Sequence, residues 1–193
     1  METARRLPRA ERREQIIDAA TRAFARSGFD ATGLDDVAAE AGISRVILYR
    51  HFASKSDLYR AVLGRGQARL VERVGLGGYG PDTLPALLEA AAADPDGFRL
   101  LFRYAAREPE FRDLVDSFTQ ESLEIARKEL GDRIADPAWA AWAARLTFAV
   151  AVEGVIAWLD AGRPDPDTAA ERLVRAVRGV MAAASWGGAP PAP

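Results

Sequence analysis

The sequence predicts an all-α protein in which a short N-terminal domain of three helices is followed by a larger helical domain. Three observations carry that expectation. Apolar residues recur at helical spacing along nearly the whole chain, and strand-like alternation is absent. Proline and glycine fall between the periodic runs. Three Asp-Pro pairs, at Asp94-Pro95, Asp136-Pro137 and Asp165-Pro166, each suit an N-cap aspartate followed by proline at the first helical position.

The first helix is expected from about Arg9 to Arg26, with Ile16, Ile17, Ala20 and Phe24 on one face and Gly28 as its C-terminal glycine. Two short helices follow, about Asp35–Ala41 and Arg45–Phe52. A longer one runs from Lys55 to about Val74, opened by Ser54 with Asp57 three residues later, a capping-box spacing. After the loop GLGGYGP, the Asp-Pro pairs divide the remainder into helices near 83–93, 95–107, 109–130, 137–161 and 166–186. The resulting plan is a domain at 1–55 with its motif at 33–52, a connecting helix at 56–74, a body at 75–187 and a disordered tail at 188–193.

Composition removes several function classes. The 193 residues include no cysteine, so disulfides and thiolate metal sites are excluded. One histidine, His51, cannot build a multi-histidine metal site or a catalytic pair. No cofactor motif, catalytic serine elbow or phosphate loop is found. The letters G-x-G-x-x-G at Gly75–Gly80 follow a helix and end at Pro81, so they lack the strand-to-helix setting of a dinucleotide site. The N-terminus is basic but leads into no signal-type apolar run, which points to the cytoplasm. Net charge is −2, yet it divides unevenly: residues 1–60 hold 11 Lys+Arg against 9 Asp+Glu, and the rest hold 15 against 19. A basic head on an acidic body has the right sign for a nucleic-acid binder.

Residues 34–52, LDDVAAEAGISRVILYRHF, place Ala38, Gly42 and Leu48 at relative positions 1, 5 and 11. A helix-turn-helix needs a small residue where its helices cross, tolerance of positive φ in the turn, and an apolar residue sealing the second helix. These three residues meet those demands, and Val37, Ala41 and Ile43 supply further inward side chains. Ser44 can cap the second helix, and Thr32 with Asp35 the first. An ordinary helical hairpin satisfies the same pattern.

The flanking residues go further. Residues 12–63, about a quarter of the chain, resemble the TetR family of tetracycline-repressor-like regulators. The likeness lies in A-x-x-x-F-x-x-x-G-F ending the first helix, D-D-V-A-x-x-A-G-I-S at the turn, then L-Y-R-H-F and S-K-x-x-L. The resemblance implies a helix-turn-helix DNA-binding domain plus a C-terminal ligand-binding and dimerisation domain. It puts residues 45–51 in the major groove. Arg45 becomes a candidate for a bidentate guanine contact or a phosphate contact, and Tyr49, His51 and Lys55 a phosphate-positioning set. Two departures stand out. Gly33 replaces the usual Ser or Thr, leaving that cap to Thr32. Val46 and Ile47 replace a small residue and a hydroxyl, so they can meet thymine methyls but donate no hydrogen bond. With Ser44 these residues complete the expected DNA-contacting set, while Arg5, Arg6 and Arg9 form either a basic arm or a solvated tail.

In the body, helix 137–161 is long and apolar enough for a membrane span, but Arg145, Glu153 and a DNA-binding head argue for a buried helix. Small residues at Ala149, Ala151, Gly154 and Ala157 permit close helix approach. With helix 166–186 it forms the expected homodimer surface, as in the family. The aromatic set Phe98, Phe102, Phe118, Trp142 and Trp158 is either plain core or the lining of an effector pocket. Arg103, Arg145 and Glu153 are either its polar anchors, a buried pair or a solvated face. The expectation is therefore a non-enzymatic, ligand-responsive repressor that binds palindromic double-stranded operator DNA as a homodimer. A small amphipathic or aromatic effector releases it. A constitutive DNA-binding protein and an activator are the alternatives.

Overall fold

The computed structural model describes residues 7–75 and 78–186, and all regular structure among them is helical. The helices are α1 (Arg9–Ala31), α2 (Leu34–Glu40), α3 (Arg45–Tyr49), α4 (Lys55–Val74), α5 (Thr83–Ala93), α6 (Pro95–Arg99), α7 (Arg112–Gly131), α8 (Pro137–Asp160) and α9 (Pro166–Ala184). The expected tail at 188–193, Arg5 and Arg6, and part of the Gly75–Gly80 loop lie outside the described residues.

Helix ends follow the local chemistry. Gly28 interrupts α1 with φ 77° and ψ 173°, a conformation costly for any side chain. The Ser54 hydroxyl accepts from the Asp57 N–H at 3.0 Å, and the Asp57 carboxylate accepts from the Ala53 N–H at 3.0 Å. Asp136 caps α8 as expected, accepting from the Ala138 N–H at 2.8 Å. Asp165 does not: it sits left-handed at φ 43°, makes no cap bond, and pairs with Arg172. The region expected as one helix at 95–107 is α-helical only through Arg99, then π-helical over Leu100–Tyr104 and 3-10 over Ala105–Arg107. Pro109 forces Glu108 into an extended conformation (φ −93°, ψ 110°), which ends that run.

The chain forms two compact units, one of residues 1–68 with 96–112, the other of 69–95 with 113–193. In the first, Ile16, Ile17, Ala20 and Phe24 line the inner face of α1. Phe24, Phe29, Tyr59 and Phe111 form an aromatic cluster, with Phe24 edge-on to Tyr59 at 4.8 Å and Tyr59 against Phe111 at 4.6 Å. Phe111 ties the 96–112 segment into this unit, and the Arg60 guanidinium donates to the Glu110 carbonyl at 3.0 Å. Arg22 and Arg26 on α1 both bond Glu40 on α2 at 2.9 Å, and together they hold the Glu40 carboxyl below the usual range.

In the second unit α8 packs along α9, and α5 packs on both. The approach is close: a Cβ at Gly154 would lie 2.8 Å from a Leu173 methyl. One core cluster joins Leu130 and Ile134 to Ala126, Ala140, Ala143, Ala144 and Ala184. Helix 137–161 was expected to be buried by a dimer interface or around a ligand cavity, and one copy of the chain covers it only in part. In its most apolar stretch only 39% of residues are buried in one copy of the chain. A stripe containing Trp142, Arg145, Ala149, Glu153 and Ala157 is exposed.

Candidate nucleic-acid interface

The local sequence builds the turn as the spacing predicts. Gly42 takes φ 64°, and the Ile43 and Gly42 N–H groups return to the Ala38 and Ala39 carbonyls at 3.0 and 3.1 Å. That is a Schellman stop for α2. The Gln15 side chain donates to the Ala41 carbonyl at 2.8 Å, tying the turn to α1. Val37, Ala38, Ala41 and Leu48 are buried. With the apolar side chains turned inward, α3 presents its other face: Arg45, Val46 and Tyr49 are exposed, and Ile47 is half-buried.

Arg45 is held in a defined arrangement. Its guanidinium donates to the Asp35 carboxylate at 2.9 Å and to the Tyr49 hydroxyl at 3.2 Å, and it lies 5.4 Å from the Tyr49 ring centre. These partners push its pKa up, Tyr49 foremost. Asp35 was expected to help cap α2. Instead Asp36 takes that place, accepting from the Gly33 N–H at 2.8 Å, and Asp35 faces Arg45. Sequence reasoning missed this pairing because the two residues stand ten apart and meet only where α2 and α3 cross.

Thr32 differs from expectation, and Lys55 has partners of its own in the chain. Thr32 is buried, and its hydroxyl donates to the Gly28 carbonyl at 2.6 Å, so it closes α1 and does not cap α2. Gly33 is the N-cap residue, exposed and without a side chain to contribute. The Lys55 ammonium donates to the Phe29 and Asp30 carbonyls at 2.8 and 3.2 Å and lies 4.4 Å from the Phe29 ring centre. It is committed to the C-terminal end of α1, where a cation is favourable. Ser44 stands at the N-cap of α3 with an exposed hydroxyl that makes no cap bond.

His51 is half-buried. Burial, then the charges of Arg9, Arg13 and Arg12, push its pKa below the ordinary histidine value of 6.5. Those arginines and His51 form a positive patch that the sequence reading named only in part, through Arg9. Their periodicity on α1 was the available signal.

The effector candidates separate. Phe98 and Phe102 lie together in the first unit, ring centres 4.7 Å apart, and Arg103 beside them in sequence is half-buried. Phe118 is buried in the second unit. Trp158 bonds the Pro164 carbonyl at 2.9 Å and, with Val150, Gly154 and Leu173, lines an open groove of about 470 Å³ between α8 and α9. Trp142, Arg145 and Glu153 are exposed on α8, a solvated face in a single copy and not the interior of a pocket.

Comparison with known proteins agrees with this geometry. Residues 16–62 match the family model for bacterial regulatory proteins of the tetR family. The chain is 35% identical over 197 aligned positions to the HTH-type transcriptional activator FasR of Mycolicibacterium smegmatis, covering 95% of this chain and 85% of that protein. A TetR-like transcriptional regulator from Rhodococcus sp. RHA1 superposes with a TM-score of 0.78 at 26% identity, over 91% of this chain and 98% of the other. A tetR-family regulator from Streptomyces coelicolor gives 0.67 at 27%, over 93% and 84%.

Proposed function

Because the chain belongs to the TetR family of bacterial transcriptional regulators, we propose that it is a ligand-responsive repressor that binds a near-palindromic operator as a homodimer. Its being a DNA-binding regulator and not an enzyme follows from the family. The finer statement rests above all on the exposed face of α3, where Arg45, Val46 and Tyr49 project while Leu48 is buried and Ile47 half-buried.

One recognition helix spans only a few base pairs. Specificity therefore needs two half-sites roughly one helical turn, about 34 Å, or a multiple apart. Arg45 is the base-reading residue, able to pair bidentately with guanine. Val46 and Ile47 offer apolar contact to thymine methyls. Ser44, Tyr49 and His51 contact phosphates, joined by Arg9, Arg12 and Arg13. Gly33 lets a phosphate approach the start of α2 closely. The protein acts in the cytoplasm, where its DNA is. α8 and α9 hold two copies together.

The effector is a small amphipathic or aromatic molecule, met by Trp158 in the open groove between α8 and α9. It acts only through its differential affinity for the arrangements competent and incompetent for DNA, and DNA weakens its binding by the same factor. The relative of nearly full coverage is named an activator, which favours a second reading of the sign. Occupancy of one operator represses or activates according to its position at the promoter.

Selection of bound duplexes from random sequence tests the proposal. The expected product is a two-fold symmetric site, and an asymmetric consensus overturns it. A thermal-shift screen must then find compounds that raise the melting temperature and release that DNA. Hits that stabilise the protein but leave DNA bound overturn the ligand response.

A further inference from the structure

Three acidic residues stand on α2, and each has a different role. The Asp36 carboxylate caps the helix, accepting from the Gly33 N–H. Glu40 bonds Arg22 and Arg26 and so ties α2 to α1. Asp35 does neither. Its carboxylate meets the Arg45 guanidinium of α3 at 2.9 Å, with both side chains more than half exposed. The other terminal nitrogen of that guanidinium donates to the Tyr49 hydroxyl at 3.2 Å, and the group lies over the Tyr49 ring. Asp35 and Tyr49 thus use two of the five N–H donors of the arginine, and the three left are enough for a bidentate pair with a base. An anion at this place is otherwise a disadvantage. Arg45, Val46 and Tyr49 make the exposed face of α3, and a carboxylate beside Arg45 repels the phosphates that such a surface must approach.

We propose that Asp35 determines sequence specificity by holding Arg45 toward the bases and withholding it from the phosphates. The proposal rests on the reading above that Arg45 contacts a base, and goes beyond it by naming what makes that contact selective. Arginine on its flexible stem pairs bidentately with phosphate as well as with guanine, and phosphates stand at every step of every duplex. A freely moving Arg45 therefore adds affinity for all sequences alike. Held by a carboxylate, a hydroxyl and a ring, it must give up Asp35 to follow the backbone, whereas its remaining donors meet a guanine without that loss. The carboxylate also opposes non-specific binding directly, because it repels the backbone whatever the sequence. Discrimination by a repulsive group of this kind is a general route to specificity. An exposed ion pair contributes little to folding, so the effect of Asp35 falls on DNA binding. Asp35 is a positioning residue, acting through Arg45 and not on the base itself.

The test measures dissociation constants of the full chain by fluorescence anisotropy over a range of salt, with circular dichroism to confirm folding. Three duplexes are the probes: the site selected from random sequence, that site with one base pair changed in both half-sites, and a duplex of unrelated sequence. Arg45→Ala identifies the base pair to change, at which the parent is expected to discriminate by about tenfold or more. Asp35→Ala is expected to reduce that discrimination to within about threefold while binding the unrelated duplex about threefold or more tightly. Its salt dependence on the unrelated duplex should steepen by about one unit per subunit, as each freed Arg45 takes a phosphate. The double variant Asp35→Ala/Arg45→Ala should discriminate no worse than Arg45→Ala, since the two residues act as one unit. Asp35→Glu, which returns a carboxylate, should recover discrimination to within about threefold of the parent. Asp35→Ser serves where Asp35→Ala does not fold. If Arg45→Ala relaxes the preference and Asp35→Ala keeps it, the proposal is overturned while the role of Arg45 stands. Equal weakening on all three duplexes, the mark of a structural brace, overturns it as well. So does discrimination lost at a base pair that Arg45→Ala leaves alone, since Asp35 would then contact a base itself. If Arg45→Ala relaxes no position, the base-reading role of Arg45 falls, and Asp35 has nothing to position.

Discussion

Of the twelve largest fully buried side chains among the described residues, eleven belong to the unit containing the helix-turn-helix, and only Ile156 belongs to the other. In the second unit one core cluster is mostly alanine, while Trp139, Trp142 and Trp186 remain exposed. Burying a large apolar side chain contributes about 1.5–3 kcal/mol, and alanine contributes far less. The first unit is therefore well supplied with its own cohesion, and Arg45, Val46 and Tyr49 stand outside that core. The second keeps much of its apolar surface outside.

The largest effect should come from breaking this contrast at its strong side. Phe24→Ala empties a fully buried site against Tyr59 and should cost about 3–5 kcal/mol in denaturant unfolding. Trp142→Ala, the removal of an even larger side chain, should change the unfolding free energy of the isolated chain by about 0.5 kcal/mol or less while weakening self-association. Equal losses in both variants, measured at a concentration where the parent is dissociated, would remove the contrast.

Arg45→Ala should relax base preference at one position per half-site by about 1–3 kcal/mol, leaving folding stability nearly unchanged. A uniform loss across all sequences, with preference intact, would make Arg45 a phosphate contact. Lys55→Ala should behave in the opposite way. Its ammonium holds two carbonyls at the end of α1, so stability should fall by about 1 kcal/mol and the salt dependence of DNA binding should keep its slope. A slope reduced by about one unit would return Lys55 to the phosphate contacts.

The smallest effect is one of pH. His51 has its pKa lowered in the folded chain by burial and by Arg9, Arg13 and Arg12. The unfolded chain therefore takes up the proton first as pH falls below 6.5, and folding stability is slightly lower in acid and fully present above that value. A phosphate beside the imidazole acts in the other direction and favours its charged form. Operator affinity should then rise as pH falls from about 7 to 6, and His51→Gln should flatten that rise. Identical pH profiles for the two proteins would leave His51 without a phosphate.

Much of this was legible in the sequence because it depends on near neighbours along the chain. Gly28, Gly42 and Pro109 impose backbone conformations wherever they stand. The Ala38–Gly42–Leu48 spacing specifies a turn through three residues within eleven, and α4 and α5 span the residues their periodicity indicated. Pairings between distant residues had no such signal. Asp35 with Arg45, and Lys55 with the end of α1, exist because separate helices meet, and single-residue chemistry allows several partners for each group. The same holds for the segment at 96–112, which joins the N-terminal unit through Phe111 although its neighbours in sequence belong to the other.

The sequence by itself thus determined the helices, the turn that defines the DNA-binding motif, and membership of a family, since each is written in short-range spacing and backbone preference. Tertiary structure alone decided which polar groups are committed and which are free. Lys55 is taken up by carbonyls at the end of α1, while Arg145, Glu153 and Trp142 face outward on α8. The physical reason is that a polar group's availability depends on whether another helix brings it a partner, and helical period describes only the face a residue occupies, not what lies opposite.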